Sequence, residues 1–312
     1  MRAVTIRNQQ LKIEEHPDPA PGAGQVLVRV RAAGLNGADM HQRRGLYPAP
    51  PGSPQDIPGL ELAGEAAALG PGAMRFAEGD MVMGIVGGGG QAELALVHER
   101  VLMPVPERLS WAQAGGTPEV FTTAHDALFT QAGLEPGERL LVHGGAGGVG
   151  TAAIQLGRAA GARVTATVRN PDLRESVAEL GARVIAPEGF GEEGPFDVIL
   201  ELVGAPNLQP NVNALATSGR IVVIGIGAGA KSELHLGALM GKRGRIQAST
   251  LRPRPLEEKA LTARALERSV LPLLSSGEVD VPVAATYSIE QVEEAYERFE
   301  AGGKLGKIVL TM

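Results

Sequence analysis

Residues 144–150 read Gly-Gly-Ala-Gly-Gly-Val-Gly, set between the apolar run Leu140-Leu141-Val142-His143 and Thr151-Ala152-Ala153-Ile154-Gln155-Leu156. Gly145, Gly147 and Gly150 fit G-x-G-x-x-G with a buried strand before it, a helix after it and a second strand following. The first glycine is expected to allow the tight turn, the second to let the backbone touch a pyrophosphate, and the third to let helix and strand pack closely. Ala146, Gly148 and Val149 complete a loop whose N–H groups, at a helix N-terminus, face negative charge. The plain alternative is a glycine-rich turn without a ligand. The strand–loop–helix context favours a dinucleotide.

The end of the second strand reports on which dinucleotide. NAD sites usually place Asp or Glu there, to bond the adenosine ribose. This chain has Val168-Arg169-Asn170-Pro171-Asp172-Leu173-Arg174. A cation and an amide, with Arg174 one helical turn later, suit a 2′-phosphate, so NADPH is the expected cofactor. The competing reading of Arg169 is a solvated surface charge.

Other chemistries lack their residues. The chain has 312 residues and no cysteine, which removes disulfides, a catalytic thiol, iron–sulfur clusters and thiolate-ligated zinc. The six histidines show no close metal-ligand spacing, so no metal is expected. A net charge of −6 without a dense basic stretch argues against nucleic acid. The N-terminal residues lack the apolar core of a signal peptide, and the longest apolar run, 221–230, is half a membrane span. A soluble, cytoplasmic protein is expected.

Two kinds of texture position these residues. The first third reads as short strands (2–6, 11–16, 25–33, 61–69, 80–86, 93–98) separated by turns rich in Pro and Gly. Val26, Val28 and Val30 alternate with Leu27, Arg29 and Arg31, as a half-buried strand does. After Pro118 comes a helix over 120–132, then strands (139–143, 163–168, 183–186, 197–203, 220–226, 245–250) alternating with helices (149–160, 171–180, 208–216). Near-continuous apolar strands alternating with helices predict a doubly wound parallel sheet, hence an α/β fold. A long helix over 256–276, a strand near 283–287, a helix over 289–300 and a strand over 307–311 are expected to return to the first domain.

The segments AAGLNGADMHQRRGLYPAPPG (32–52), PGLELAGEAAALGPG (58–72), GGGGQAELALV (87–97), HGGAGGVGTAAIQL (143–156), NVNALATSGRIVVIG (211–225), KRGRIQASTLR (242–252) and GKLGKIVL (303–310) resemble, in family order, the zinc-independent quinone oxidoreductases. These belong to the medium-chain dehydrogenase/reductase superfamily, and the resemblance is strongest to the branch of the p53-inducible quinone oxidoreductase. It implies a GroES-like β-rich catalytic domain built from both chain ends (1–119 and 253–312) around a Rossmann domain (120–252). The cleft between them is the implied site. Zinc members of the superfamily carry G-H-E-x-x-G and a four-cysteine lobe. Here the sequence is Gly59-Leu60-Glu61-Leu62-Ala63-Gly64 and the lobe is absent, so Glu61 is expected to be a buried structural acid.

Without a Lewis acid to stabilise an alkoxide, the acceptor must delocalise its own charge, as quinones and conjugated carbonyls do. The resemblance therefore implies an NADPH:quinone oxidoreductase. The alternatives are an NADPH-dependent enone or enoyl-thioester reductase and, in another class, a non-catalytic NADPH-binding protein. By position it makes Tyr47 a quinone-pocket residue, either a hydrogen-bond donor or an amphipathic wall, and sets Asn36 beside the nicotinamide ribose. Thr123, Gly225, Ile226, Thr250, Leu251 and Arg252 carry over as cofactor contacts, with Lys304 a weaker one. Asp39 and Arg43 are expected to form an i,i+4 pair. Glu188 falls near a place where family members hold the 2′-phosphate, and its charge opposes NADPH preference. A homodimer is the implied assembly.

Overall fold

Short strands with alternating burial begin the chain in the computed structural model, which describes residues 1–312. β1 (Arg2–Arg7) and β2 (Gln10–Glu15) form an antiparallel hairpin closed by Asn8 and Gln9, both at positive φ. β3 (Gln25–Gly34) buries Val26, Val28 and Val30 while Arg29 faces solvent, the pattern its sequence prescribes. After α1 (Gly37–Arg43) come β4 (Glu61–Leu69), β5 (Met81–Ile85), β6 (Leu94–His98) and β7 (Leu102–Pro104). Two helices follow, α2 (Trp111–Gly115) and α3 (Pro118–His125). The second continues through a π-helical turn over Asp126–Gln131 before Gly133 takes positive φ.

The next part alternates strand and helix, with one helix, over 236–242, beyond those expected and a strand that begins at Leu215 rather than at 220. β8 (Arg139–Val142), α4 (Gly148–Ala159), β9 (Arg163–Thr167), α5 (Arg174–Glu179), β10 (Arg183–Ile185), β11 (Phe196–Glu201), α6 (Leu208–Ala214), β12 (Leu215–Val223), α7 (Leu236–Lys242) and β13 (Arg245–Ala248) succeed one another. Every strand pair here is parallel, in the order β10-β9-β8-β11-β12-β13. Sequence order 3-2-1-4-5-6 is the doubly wound nucleotide-binding arrangement, with its reversal between β8 and β11.

The chain then runs through α8 (Leu256–Ser269), α9 (Leu271–Ser276), β14 (Val283–Ser288), α10 (Val292–Glu300) and β15 (Lys307–Thr311). The single helix expected over 256–276 breaks at Val270. Pro272, at the start of the second piece, has no N–H to give the preceding turn. β15 pairs antiparallel with β3, completing the seven-stranded sheet β14-β15-β3-β4-β5-β7, with β6 also on β3.

Contacts divide the chain into two units. One comprises Met1–Thr122, Leu251–Gly302 and Lys307–Met312, the other Thr123–Thr250 and Gly303–Gly306. The first is built on Val26, Val28, Val30, Leu62, Val82 and Val97, with a second cluster around Leu35, Met40, Tyr296 and Ile308. The other packs Leu141, Phe196, Ile199, Val212 and Ile221 about its sheet. No helix is long and apolar enough to cross a membrane.

Candidate functional site

The cofactor candidates of the doubly wound unit gather at the C-terminal ends of its strands. The loop after β8 is shaped differently from its sequence expectation in one respect. The left-handed turn residue is Gly144, at φ +64, rather than Gly145. Gly145 instead packs on β9, where a Cβ would lie 2.9 Å from the Ala166 Cβ. Gly150 packs against the loop itself, a Cβ there lying 2.9 Å from Gly145 Cα. Of the three motif glycines, only Gly147 has nearly clear space, the nearest atom being Gly144 O at 3.4 Å. Gly147 is also the N-cap of α4, and no side chain caps that end. Gly147 bridges to Gly306, and the first-turn N–H groups of α4 beyond it, that of Val149 among them, line a backbone surface that an anion can approach. The residues present fit a dinucleotide pyrophosphate.

Around this loop stand the other candidates. Arg169 is exposed at the end of β9. Asn170 accepts from Asp172 N at 3.1 Å and so caps a short 3-10 turn, while Arg174 Nε reaches back to Val168 O at 3.1 Å. The segment Gly303–Gly306 lies on the loop, with Gly306 N donating to Ala146 O at 2.8 Å. Lys304 Nζ donates to Gly306 O at 3.2 Å. Glu188 is exposed after β10. Gly225 N donates to Glu201 O at 3.0 Å just after β12, beside the exposed Ile226. Thr250 follows β13, and Thr123 is buried in α3.

The other unit holds Asn36, Tyr47, Leu251 and Arg252, and Asn36 sits in a buried ionic lattice. Lys307 Nζ, at the start of β15, meets Glu61 Oε1 of β4 at 2.6 Å, with the side chains 3% and 0% exposed. Asn36 joins both, accepting from Lys307 Nζ at 2.7 Å and donating to Glu61 Oε1 at 2.9 Å. Glu61 Oε2 accepts Glu119 N at 2.8 Å, and Lys307 also donates to Leu35 O at 2.7 Å. Glu61 is thus buried and paired, as its sequence setting suggested for its burial. Each of its oxygens is satisfied, which is what makes two buried charges tolerable.

Asp39 does not pair with Arg43. Its carboxylate turns inward to accept Asn36 N at 2.8 Å and Gly59 N at 3.0 Å, fixing the start of α1 to the 59–64 segment. Arg43 donates instead to Gln9 O at 2.8 Å and to Glu293. Burial pushes the Asp39 carboxyl up to about 6, against the pull of those two N–H groups and of Lys307 and Arg252.

Arg252, expected as a cofactor contact, has its guanidinium engaged within its own unit. It is 4% exposed, and its guanidinium donates to Gly87 O at 2.8 Å, Tyr47 O at 3.0 Å and Gln42 Oε1 at 2.6 Å. It also lies 5.1 Å from the centre of the Tyr47 ring. Its work is to seat Tyr47. Burial raises the half-buried Tyr47 hydroxyl above its ordinary value, Arg252 lowers it, and Glu119 raises it.

Sequence reasoning missed Glu119. Partly buried in α3, it lies beside Glu61, and its carboxyl is pushed up to about 8. Burial is the main cause and the Glu61 carboxylate the next, opposed by Lys307 and Arg252. A protonated acid therefore stands near Tyr47 and Lys259 at neutral pH. Local sequence offers no signal for it, since the residue that perturbs it is 58 positions away.

The chain matches the alcohol dehydrogenase GroES-like domain over residues 22–107 and the zinc-binding dehydrogenase family over 148–267. It is 31% identical to the quinone oxidoreductase of Rattus norvegicus over 94% of this chain and 91% of that one. It is 29% identical to the acryloyl-coenzyme A reductase of Metallosphaera sedula, across the whole of both chains. Among solved structures, an alcohol dehydrogenase superfamily protein from Novosphingobium aromaticivorans superposes with a TM-score of 0.90 at 31% identity, covering 100% of this chain and 99% of that one. The chain is an oxidoreductase and belongs, with quinone oxidoreductases among its relatives, to the medium-chain dehydrogenase/reductase superfamily.

Proposed function

We propose that this chain is a zinc-independent, NADPH-dependent quinone oxidoreductase. The observation that carries this reading is the lattice around Glu61. Where zinc relatives place a histidine ligand before that acid, this chain has Leu60, buried, and the acid itself is taken by Lys307. An acceptor that spreads its own negative charge suits such a site, and a quinone is the simplest one.

NADPH, when bound, supplies the hydride. Gly147 and the N-terminus of α4 hold the pyrophosphate, and Arg169 with Lys304 supplies positive charge for the 2′-phosphate. Tyr47, seated by Arg252, orients the acceptor, while Asn36, held by Lys307 and Glu61, keeps its amide fixed near the ribose. Glu119 gives up a proton to the reduced acceptor and regains it from water. The exposed Glu188 opposes the 2′-phosphate, so NADPH preference is expected to be moderate.

The test is side-by-side kinetics after exhaustive chelation, with 1,4-benzoquinone and a 2-alkenal as acceptors and NADPH and NADH as donors. Fast quinone reduction from NADPH, unaffected by chelation, is the expected result. Consumption of NADH alone would refute the cofactor assignment. A second reading, an enone or enoyl-thioester reductase, draws support from the acryloyl-coenzyme A reductase likeness and from Glu119, since an enolate carbon needs a positioned acid more than a quinone oxygen does. Preference for the 2-alkenal would select it. For the assembly we infer a homodimer joined along β13, an edge strand, with the exposed Leu236 and Met240 of α7 in the same unit.

A further inference from the structure

Beneath the glycine loop runs a chain of buried polar groups that neither hydride transfer nor proton donation uses. His143 follows β8 directly, immediately before the loop, and is 1% exposed. Its Nδ1 lies 3.1 Å from Thr167 Oγ1 and its Nε2 2.8 Å from Asn211 Oδ1. Asn211 Nδ2 donates to Glu201 Oε2 at 2.7 Å, and Glu201 Oε1 accepts the N–H groups of Val203 at 2.6 Å and Gly204 at 2.8 Å. At the other end, Thr167 holds the first two residues of the loop. Its hydroxyl accepts Gly144 N at 3.3 Å and its carbonyl accepts Gly145 N at 3.0 Å.

The direction of every bond in this chain follows from one group. An ionised carboxylate only accepts, so Glu201 must meet the NH₂ side of Asn211. The carbonyl side of Asn211 then faces His143 and accepts from it, which puts the imidazole hydrogen on Nε2. Nδ1 is left with a lone pair and takes the hydrogen of the Thr167 hydroxyl. That hydroxyl is thereby turned with its own lone pairs toward Gly144 N–H. With the hydrogen on Nδ1 instead, Asn211 and the carboxylate would be set oxygen against oxygen, or the buried Thr167 hydrogen would lose its acceptor. Burial lowers the His143 pKa more than the Glu201 carboxylate, 3.8 Å away, raises it. Glu201 is the charged group that faces the ring, and the other neighbours, Thr167, Asn211 and Phe190, are uncharged.

We propose that His143, fixed in its Nε2–H tautomer by Asn211 and Glu201, is a positioning residue for the nicotinamide cofactor, acting through the Thr167 hydroxyl on the loop that receives the pyrophosphate. The Glu201 end serves the same purpose on the other side of the strand reversal. Its carbonyl holds Gly225 N, and Val203 O accepts Ala228 N at 2.9 Å, so the loop after β12 rests on the same support. The proposal rests on the dinucleotide reading of the glycine loop.

Two measurements test it. Long-range ¹H–¹⁵N correlation spectra of the cofactor-free protein between pH 6 and 8 are expected to show His143 uncharged and protonated on Nε2 throughout. An Nδ1–H tautomer or an imidazolium in that range would overturn the relay. Titration with NADPH, followed by nucleotide fluorescence, is expected to give about tenfold weaker binding for Thr167→Val, which keeps the shape and removes the hydroxyl. Thr167→Ser, which restores the hydroxyl, is expected to recover wild-type affinity to within about twofold. Equal binding by wild type and Thr167→Val, or no recovery in Thr167→Ser, would refute the positioning role alone. Failure of the wild type to bind either nucleotide would refute the cofactor reading and this proposal together.

Discussion

Glu119 carries two opposite expectations, one for rate and one for stability. Its carboxyl, raised to about 8 from an ordinary 4.5, stays protonated at neutral pH. Reduction of a 2-alkenal should therefore decline as pH rises through about 8, and Glu119→Gln should remove that decline together with about 100-fold or more of the rate. For stability pH acts in the same direction, but removing the carboxyl acts in the opposite one. Between pH 4.5 and 8 the unfolded chain releases the Glu119 proton and the folded chain keeps it, so folding loses free energy as pH rises across that window. Glu119→Gln should raise Tm at pH 8 and leave it nearly unchanged at pH 4.5, as differential scanning calorimetry would show. Lys307 presents the contrasting case of a satisfied buried charge. Lys307→Met should cost about 3–5 kcal/mol in denaturant unfolding because it strands Glu61, and the double variant with Glu61→Gln should recover part of the loss.

Within the elements, the glycine loop separates folding from binding. Gly145→Ala drives a Cβ toward Ala166 and should lower Tm, whereas Gly147→Ala meets only Gly144 O at 3.4 Å and should fold normally. The same methyl on Gly147 occupies the surface an anion would use, so NADPH affinity should fall about tenfold or more in a fluorescence titration. Normal affinity in Gly147→Ala would mean that the pyrophosphate lies elsewhere. The loop, the parallel strands and the alternation in β3 were legible in the sequence because local pattern sets them: glycine spacing, apolar runs, period two. The break at Val270 was equally local, signalled by Pro272, yet the amphipathic period of the flanking segments masked it. Arg252, Asp39 and Glu119 were not legible in their observed roles. The partners of Arg252 are 165 to 210 positions away, and Asp39 meets Gly59 across 20, so long-range packing decides what these charges do. Lys307 was read only as the start of a terminal strand, although its ammonium anchors Asn36.

On the scale of the whole molecule, the doubly wound sheet leaves a question at its rim. β13 pairs with β12 on one side and is the last strand of its sheet. A four-residue edge bearing Arg245 follows the usual defences against unwanted pairing, namely shortness and charge. In the same unit α7, which packs on β12, exposes Leu236 at 65% and Met240 at 75%, four residues apart and so on one helical face. Large apolar side chains on one face, in a unit whose sheet has an open strand edge, suit a second copy of the chain, related by a two-fold axis that sets edge against edge. Such an interface would bury both side chains at once, so charges there should be disruptive out of proportion to their effect on the fold. Leu236→Lys combined with Met240→Glu should convert a dimer to a monomer by analytical ultracentrifugation at micromolar concentration, with the far-UV circular dichroism unchanged. Wild-type protein sedimenting as a monomer, or a double variant that stays dimeric, would place the contact elsewhere or remove it.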